Sequence, residues 1–189
     1  MSNSPQKIAV LGAGAWGTAL ARLAALNGNS VTLWARNPAH ADIADLKTAE
    51  IVILAIPSAA ILQALDDVGD ALPPKAPLVI VTKGLEAKTG RCLSDVVAEA
   101  LPQRPIAALS GPSFAADVAA GLPTAVTLAS DSKSAAIAIR DCLACATFRI
   151  YLSDDLIGTE LGGAAKNVLA IAAGVAEGMG LGASAKAAL

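Results

Sequence analysis

Two lysines stand where a cation could act on a small polar substrate. The first, Lys83, directly follows an apolar run in the segment Val81-Thr82-Lys83-Gly84. Open α/β sheets bind their ligands at the carboxyl ends of strands, so this lysine is placed to contact a phosphate or a carbonyl oxygen. On these residues alone, a solvated loop lysine explains Lys83 equally well.

The second, Lys166, lies among small and apolar residues in the segment Gly162-Gly163-Ala164-Ala165-Lys166-Asn167. A lysine deprived of water loses its proton more readily and can then act as a proton donor or acceptor. The alternative is a lysine that extends from its helix into solvent. The only histidine, His40, follows the second predicted strand in a short connector, a poor place for an acid/base group. If the protein moves a hydride to a carbonyl, we therefore expect lysine to supply the proton.

A glycine-rich turn near the start of the chain predicts a phosphate-binding site. Gly12, Gly14 and Gly17 match the pattern G-x-G-x-x-G between a predicted strand and a predicted helix, which is the context in which this pattern binds dinucleotides. The first glycine permits the tight turn, the second the approach of a pyrophosphate, and the third close packing of helix on sheet. Free N–H groups at the helix N-terminus then favour the phosphates.

Arg36 lies just after the second predicted strand, where NAD-preferring sites usually carry an acidic residue for the ribose 2′-hydroxyl. A guanidinium suits a 2′-phosphate instead, through charge and paired hydrogen bonds. The residue therefore favours NADP as the cofactor, with NAD as the alternative. The alternative is that Arg36 is a solvated arginine in a surface loop and does not contact a cofactor.

The elements that must position these residues alternate between strands and helices, which is typical of an α/β fold with a Rossmann-type, doubly wound, mostly parallel sheet. We predict strands at Lys7–Leu11, Ser30–Ala35, Glu50–Ile56, Pro77–Thr82, Ile106–Leu109, Thr124–Ala129 and Phe148–Leu152, and helices at Ala15–Asn27, Ala59–Val68, Thr89–Leu101 and Asp131–Cys145. Residues 158–189 contain no strand-like run. We therefore expect a dinucleotide-binding domain over residues 1–150 and the start of an all-helical substrate domain over residues 151–189.

The composition narrows the class of protein. Hydrophobic residues make up 54% and charged residues 16% of the chain, which excludes disorder. The net charge is −2 without a Lys/Arg cluster, so we expect a phosphorylated small molecule rather than a nucleic acid as partner. The apolar run Val168–Ala176 is too short to span a membrane, and the polar N-terminus lacks a signal-peptide pattern. We expect a cytoplasmic protein, and a homodimer remains open.

The three cysteines and one histidine do not have the paired spacing of a four-ligand zinc site. Cys142 and Cys145 form a C-x2-C pair without a second pair, and we interpret them as small residues that fill the core. No metal is therefore predicted.

Five segments occur in an order that identifies a family: Gly12–Ala19 (GAGAWGTA), Leu33–Arg36 (LWAR), Thr82–Gly84 (TKG), Leu109–Ala115 (LSGPSFA) and Glu160–Asn167 (ELGGAAKN). Together they resemble the bacterial-type NAD(P)-dependent glycerol-3-phosphate dehydrogenases over nearly the whole chain. The tryptophan in the glycine turn, the SGPSFA segment and the GGAAKN segment are specific to that family.

The resemblance implies reduction of dihydroxyacetone phosphate to sn-glycerol 3-phosphate for phospholipid synthesis, with NADP or NAD as cofactor. Lys166 would be the acid/base residue that protonates the developing alkoxide. The implied substrate contacts are Lys83, Gly111, Ser113, Lys166 and Asn167. The implied cofactor contacts are Gly12, Gly14, Ala15, Trp16, Gly17, Arg36, Lys83 and Ala115.

Two features depart from the family pattern. The connector Asn37–Ala49 has 13 residues, considerably fewer than in the family, so the strand at Val31 would become an exposed apolar edge. The family's helical domain continues well beyond Leu189, so we expect this chain to bind nucleotide and to turn over poorly. The alternatives are a non-catalytic NAD(P)-binding module and a hydroxyacid dehydrogenase, and the SGPSFA and GGAAKN segments argue against the latter.

Overall fold

The computed structural model describes residues 4–36 and 40–189. The first three residues of the polar N-terminus and residues 37–39 of the predicted connector therefore lie outside the described residues. Seven strands form one sheet: β1 Lys7–Leu11, β2 Ser30–Trp34, β3 Ile51–Leu54, β4 Leu78–Ile80, β5 Ile106–Ser110, β6 Thr124–Ser130 and β7 Phe148–Ser153. Their order is β2-β1-β3-β4-β5-β6-β7. All neighbours are parallel except β5 and β6, so the predicted mostly parallel Rossmann-type sheet is confirmed.

Helices flank the strands, as the alternation predicts. They are α1 Ala15–Leu26, α2 Ile61–Val68, α3 Leu93–Ala100, α4 Ala115–Ala119, α5 Lys133–Leu143, α6 Leu156–Gly178 and α7 Gly182–Ala187. Short 3-10 helices lie at Ile43–Thr48, Ser58–Ala60 and Gly69–Ala71. Among these helices and the rest of the described chain, no helix combines the length and the apolarity that a membrane span requires.

The sheet is buried on both faces. In β1, Ile8 and Val10 join a cluster with α1 and α5, whereas Ala9 and Leu11 join a cluster with α2 and α3. Successive side chains of a strand point to opposite faces, so a run such as KIAVL fits a strand covered on both sides.

The predicted helix Thr89–Leu101 begins only at Leu93, so the prediction of its first turn is wrong. The reason is a local turn that the side chain of Glu86 closes. Its carboxylate accepts hydrogen bonds from the backbone N–H groups of Lys88 (3.0 Å) and Thr89 (2.7 Å), and Gly90 follows with φ +69°. These N–H groups are thus satisfied outside a helix, and the left-handed glycine cannot continue one.

The edge strand β2 is covered in part by the connector that follows it. Val31 and Leu33 are half-buried because they pack against the cluster that contains α1 and α5. The connector contributes a backbone contact, in which the N–H of Ala41 donates to the carbonyl oxygen of Leu33 at 3.4 Å. Leu46, on the 3-10 helix of the connector, is fully buried and packs in the same cluster as Trp34. The expected edge position of β2 is confirmed, and the connector shields more of this strand than the sequence indicates.

A buried carboxyl group on α6 is hydrogen-bonded to α3. Glu160 is 6% exposed and accepts hydrogen bonds from both the backbone N–H (3.1 Å) and the hydroxyl of Ser94. Burial raises the pKa of Glu160 above its ordinary value. This contact places the N-terminal half of α6, which carries Lys166, beside the sheet.

We expect Ser94→Ala to lower the free energy of unfolding by about 1–3 kcal/mol, because it leaves a buried carboxyl oxygen without its hydroxyl donor. Urea denaturation measures this change. Adding Glu160→Gln should recover part of the loss, since a neutral amide is easier to bury than a carboxylate. Equal unfolding midpoints for the parent chain and Ser94→Ala would contradict this account of the contact.

Candidate functional site

A cleft of about 780 Å³ opens at the carboxyl ends of β1 to β4. Its walls come from the turns that follow these strands, from the start of α4 and from one face of α6. The lining residues are Gly12 to Trp16, Ala35, His40, Ala55 to Pro57, Val81 to Lys83, Ser113 to Ala115, Lys166 and Asn167. This is the edge of an open α/β sheet at which ligands bind.

The three glycines of the turn differ in what surrounds them. Gly12 has φ +112°, and a Cβ there would overlap the carbonyl oxygen of Ala55. A Cβ on Gly17 would overlap the carbonyl oxygen of Gly12 itself and would lie 3.0 Å from the Cβ of Ala55. Gly14 faces open space, and a Cβ added there would have no heavy atom within 4 Å. Two glycines thus allow close packing, and the third leaves the cleft floor free of a side chain.

The start of α1 offers donors to this floor. Gly14 is the N-cap of α1 and provides no side-chain cap, so the first N–H groups of the helix are open to an anion. Trp16 lines the same floor, and its buried indole Nε1 has no hydrogen-bond partner within the described chain. Since Nε1 can only donate, the cleft fits a ligand with acceptor oxygens, as a dinucleotide has.

Lys83 reaches across the cleft from the end of β4. Its Nζ donates to the carbonyl oxygens of Gly111 (3.1 Å) and Ser113 (3.2 Å) and to the Ser113 hydroxyl (3.2 Å). It also lies 5.8 Å from the centroid of the Trp16 ring. Burial, reinforced by the neighbouring ammonium of Lys166, lowers the pKa of Lys83 to about 8.

The lowered pKa of Lys83 predicts a pH-dependent stability. The pKa is 10.5 for an ordinary lysine and about 8 in the folded chain, so the unfolded chain binds more protons between these values and stability rises with pH. We expect the unfolding free energy of the parent chain, relative to Lys83→Met, to increase from pH 8 to pH 10.5. Denaturation of both chains across this range measures it, and a constant difference would contradict the lowered pKa.

Lys166 lies on α6 at the junction of two cavities. It lines the main cleft together with Asn167, and it also lines a second cavity of about 460 Å³ together with Gly111. Its Nζ lies 5.3 Å from the centroid of the Phe114 ring, close enough for a cation–π contact. Lys166 is half-buried and Asn167 is exposed.

The structure brings most of the predicted site residues together. Those that line the main cleft are Gly12, Gly14, Ala15, Trp16, Lys83, Ser113, Ala115, Lys166 and Asn167. Gly17 is buried at the contact of α1 with the sheet, and Gly111 faces the second cavity. Arg36 lines a third cavity, of about 420 Å³, beside the main cleft.

Half of the residues that line the cleft are not among the predicted site residues, and Phe114 and His40 are the two of these with aromatic rings. Phe114 is 67% exposed although it is aromatic, and its place between Ser113 and Ala115 in the SGPSFA segment is the available signal. The position of His40 in the sequence argues against acid/base chemistry, yet this residue lines the main cleft. Its Nδ1 is buried and has no hydrogen-bond partner in the described part of the chain.

The parallel sheet and the glycine-rich turn at its first strand–helix connection define a Rossmann-type protein. Within this class, the family profile described as the N-terminus of NAD-dependent glycerol-3-phosphate dehydrogenase matches residues 7–48 and 41–136. The profile for the C-terminus of that dehydrogenase matches residues 155–189. The chain belongs to the NAD-dependent glycerol-3-phosphate dehydrogenase family.

Individual relatives agree with this assignment. The glycerol-3-phosphate dehydrogenase (NAD(P)+) of Brucella ovis is 48% identical over 210 positions, which cover 97% of this chain and 64% of the relative. The protein of the same name from a Bradyrhizobium species is 46% identical and matches 100% of this chain and 65% of its own length. The crystal structure of glycerol-3-phosphate dehydrogenase from Coxiella burnetii superposes with a TM-score of 0.89 at 37% identity, over 97% of this chain and 65% of that one.

The chain spans 64% of the length of the Brucella relative. The same alignment has 210 positions, whereas 97% of 189 residues is about 183, so the relative has about 27 residues without a counterpart here. The two pieces of the N-terminal profile overlap at residues 41–48. The extra residues of the family therefore belong at the connector that follows β2.

Proposed function

We propose that this chain is the nucleotide-binding part of an enzyme that transfers a hydride between NAD(P)H and dihydroxyacetone phosphate, giving sn-glycerol 3-phosphate. The observation that carries the proposal is the convergence of Lys83 and Lys166 on the cleft that the glycine turn opens. The names of the Brucella and Bradyrhizobium relatives support the same reaction.

The residues present fit an NAD or NADP cofactor. The free N–H groups at the start of α1 and the open space at Gly14 would take the pyrophosphate. The indole Nε1 of Trp16 would gain an acceptor that it lacks. When bound, the cofactor supplies the hydride.

The two lysines have different roles in the proposed reaction. The hydrogen bonds of Lys83 to Gly111 and Ser113 hold its ammonium in place, where it would attract the substrate's carbonyl oxygen or phosphate. As the carbonyl carbon gains the hydride, its oxygen becomes an alkoxide, and Lys166 Nζ would donate the proton that completes the alcohol. Gly111, Ser113 and Asn167 would position the substrate between the lysines.

The remaining assignments follow from this proposal. Residues 1–150 would form the dinucleotide-binding domain, and residues 151–189 would begin the helical substrate domain. The partner would be a phosphorylated small molecule rather than a nucleic acid, and a homodimer is the assembly to test. We place the enzyme in the cytoplasm, where its product would enter phospholipid synthesis.

The test is the oxidation of NADPH and NADH on addition of dihydroxyacetone phosphate, followed by absorbance. A 2-keto acid without phosphate serves as the control substrate. Oxidation that depends on dihydroxyacetone phosphate supports the proposal. Oxidation with the keto acid alone would contradict it, and nucleotide binding without turnover would leave a binding module.

A further inference from the structure

Gly163 lies on α6 at a point where this helix contacts the end of β5. The residue is buried, and a Cβ placed on it would overlap the hydroxyl oxygen of Ser110, the last residue of β5. The same Cβ would lie 3.5 Å from the Cβ of Ser110 and 3.9 Å from the Cγ of Lys83. A side chain at this position would therefore need the space that the Ser110 hydroxyl fills, beside the stem of Lys83.

The backbone of α6 does not itself require a glycine at this position. Gly163 lies inside a helix of 23 residues, where glycine is intrinsically less favourable than alanine. Further along the same helix, Gly174 is exposed, and a Cβ added there would have no heavy atom within 4 Å. The need for a glycine at Gly163 thus comes from the contact with β5.

Gly163 lies between two residues that fix the place of α6 at the site. Three residues earlier, Glu160 accepts a hydrogen bond from the backbone N–H of Ser94 on α3, and three residues later, Lys166 lines both cavities. Residues three apart are neighbours on a helix surface, and they are about 4.5 Å apart along the axis. Because Glu160 holds the start of the helix, the contact at Gly163 sets how far Lys166 lies from the sheet.

The same contact brings the two lysines together. The Nζ of Lys83 donates to the carbonyl oxygens of Gly111 and Ser113, so this ammonium is held at the end of the sheet. Burial and, after it, the ammonium of Lys166 lower the pKa of Lys83. A displacement of α6 away from β5 would separate the two ammonium groups and admit water between them.

We propose that Gly163 is a positioning residue, whose lack of a side chain lets α6 lie against Ser110 and thereby holds Lys166 beside Lys83 in the cleft. The inference rests on the proposed function and adds a residue that acts through the two lysines. It gives a physical role to the second glycine of the GGAAKN segment, which the resemblance to the family leaves without one.

The test compares the same substitution at two glycines of α6. In Gly163→Val, the methyl groups extend beyond a Cβ that already lies 3.5 Å from the Cβ of Ser110, so rotation of the Ser110 hydroxyl alone does not make room. Gly174→Val is the matched control, because Gly174 lines neither the main cleft nor the second cavity. The pKa of Lys83 is measured by labelling its amine over a pH series, with mass spectrometry as the readout.

Gly163→Val should raise the pKa of Lys83 from about 8 towards the ordinary 10.5, because Lys166 and the surrounding protein move away from it. Reduction of dihydroxyacetone phosphate, to the extent that the parent chain supports it, should slow by about tenfold to a hundredfold, the effect of misplacing a catalytic group by about 1 Å. Gly174→Val should leave the pKa and the rate unchanged.

A smaller substitution with a rescue keeps the proposal testable if Gly163→Val does not fold. Gly163→Ala should also raise the pKa of Lys83, to a lesser extent. Ser110→Ala removes the overlapping oxygen and leaves the two Cβ atoms at 3.5 Å, an ordinary contact. The double variant should therefore show the same Lys83 pKa as Ser110→Ala alone, a rescue that a general loss of helix stability does not predict.

The outcomes distinguish this inference from the proposed function. An unchanged pKa of Lys83 in either Gly163 variant, folded by circular dichroism, would overturn the positioning role, as would an equal rise in Gly174→Val or a rise that Ser110→Ala does not reverse. The labelling needs no turnover. A parent chain that does not oxidise NADPH with dihydroxyacetone phosphate would contradict the proposed function, while the pKa of Lys83 still tests whether Gly163 places the lysines.

Discussion

Replacing Gly17 with alanine is expected to lower the free energy of unfolding by about 3 kcal/mol, enough to unfold a substantial fraction of a marginally stable domain. The new Cβ would overlap the carbonyl oxygen of Gly12, which is backbone and cannot rotate away. To relieve the overlap, α1 must move off the sheet, where its buried Leu20 and Ala24 contribute to the core. Urea denaturation followed by circular dichroism measures the loss.

Gly14→Ala is the matched control within the same turn. No heavy atom lies within 4 Å of the added methyl, and φ at this N-cap is −72°, which any residue adopts. We expect a stability change of about 0.5 kcal/mol or less, with a loss of nucleotide affinity because the methyl projects into the cleft. If the two alanine variants are equally stable, the explanation that Gly17 is needed for the packing of α1 on the sheet is wrong.

Under the proposed function, Lys166→Met is expected to slow whatever dihydroxyacetone phosphate reduction the parent chain supports by about 10² to 10⁴, the usual contribution of a general acid. The dissociation constant of NADH should stay within about twofold. Methionine is unbranched and only one atom shorter than lysine, so it keeps most of the packing near Phe114. Rates at saturating substrate and calorimetric binding of NADH measure the two quantities separately.

The control for Lys166 is another lysine of the helical region. Lys186 on α7 pairs with Glu177 at 2.9 Å and lines neither the main cleft nor the second cavity. Lys186→Met should therefore leave the rate unchanged. A Lys166→Met protein as fast as Lys186→Met would remove Lys166 from the proposed acid role and shift attention to Lys83.

The fold is largely predictable because its signals are local. Runs such as KIAVL and EIVILAI are apolar on nearly every residue, which only a strand covered on both faces can bury, and glycine or proline marks where each run ends. The start of α3 is not predictable from the same signals. It depends on the carboxylate of Glu86 satisfying two N–H groups in a turn, which a helical propensity pattern does not reveal.

The candidate site likewise has a part that the sequence predicts and a part that it does not. Gly12 and Lys83 follow the ends of strands, and Gly17 lies in the first turn of α1, so motif spacing is enough to bring them together. The surroundings of Arg36 and His40 depend on the path of the connector after β2, which no hydrophobic periodicity in the sequence predicts. They also depend on the packing of α2, which carries Asp67, the ion-pair partner of Arg36. The preference for a 2′-phosphate that Arg36 alone indicates could not anticipate a carboxylate 31 positions further along the chain.

The position of β2 has a consequence for how this family can vary. A strand in a sheet is registered only against its immediate neighbours, so material joined to the outer side of β2 does not touch the register of β1 with β3 or of any strand beyond. The roughly 27 additional residues of the Brucella relative fall beside this strand. Coding sequence can therefore be gained or lost there as a unit, and such a change alters the surroundings of Arg36 while the pairing of the inner strands is inherited intact.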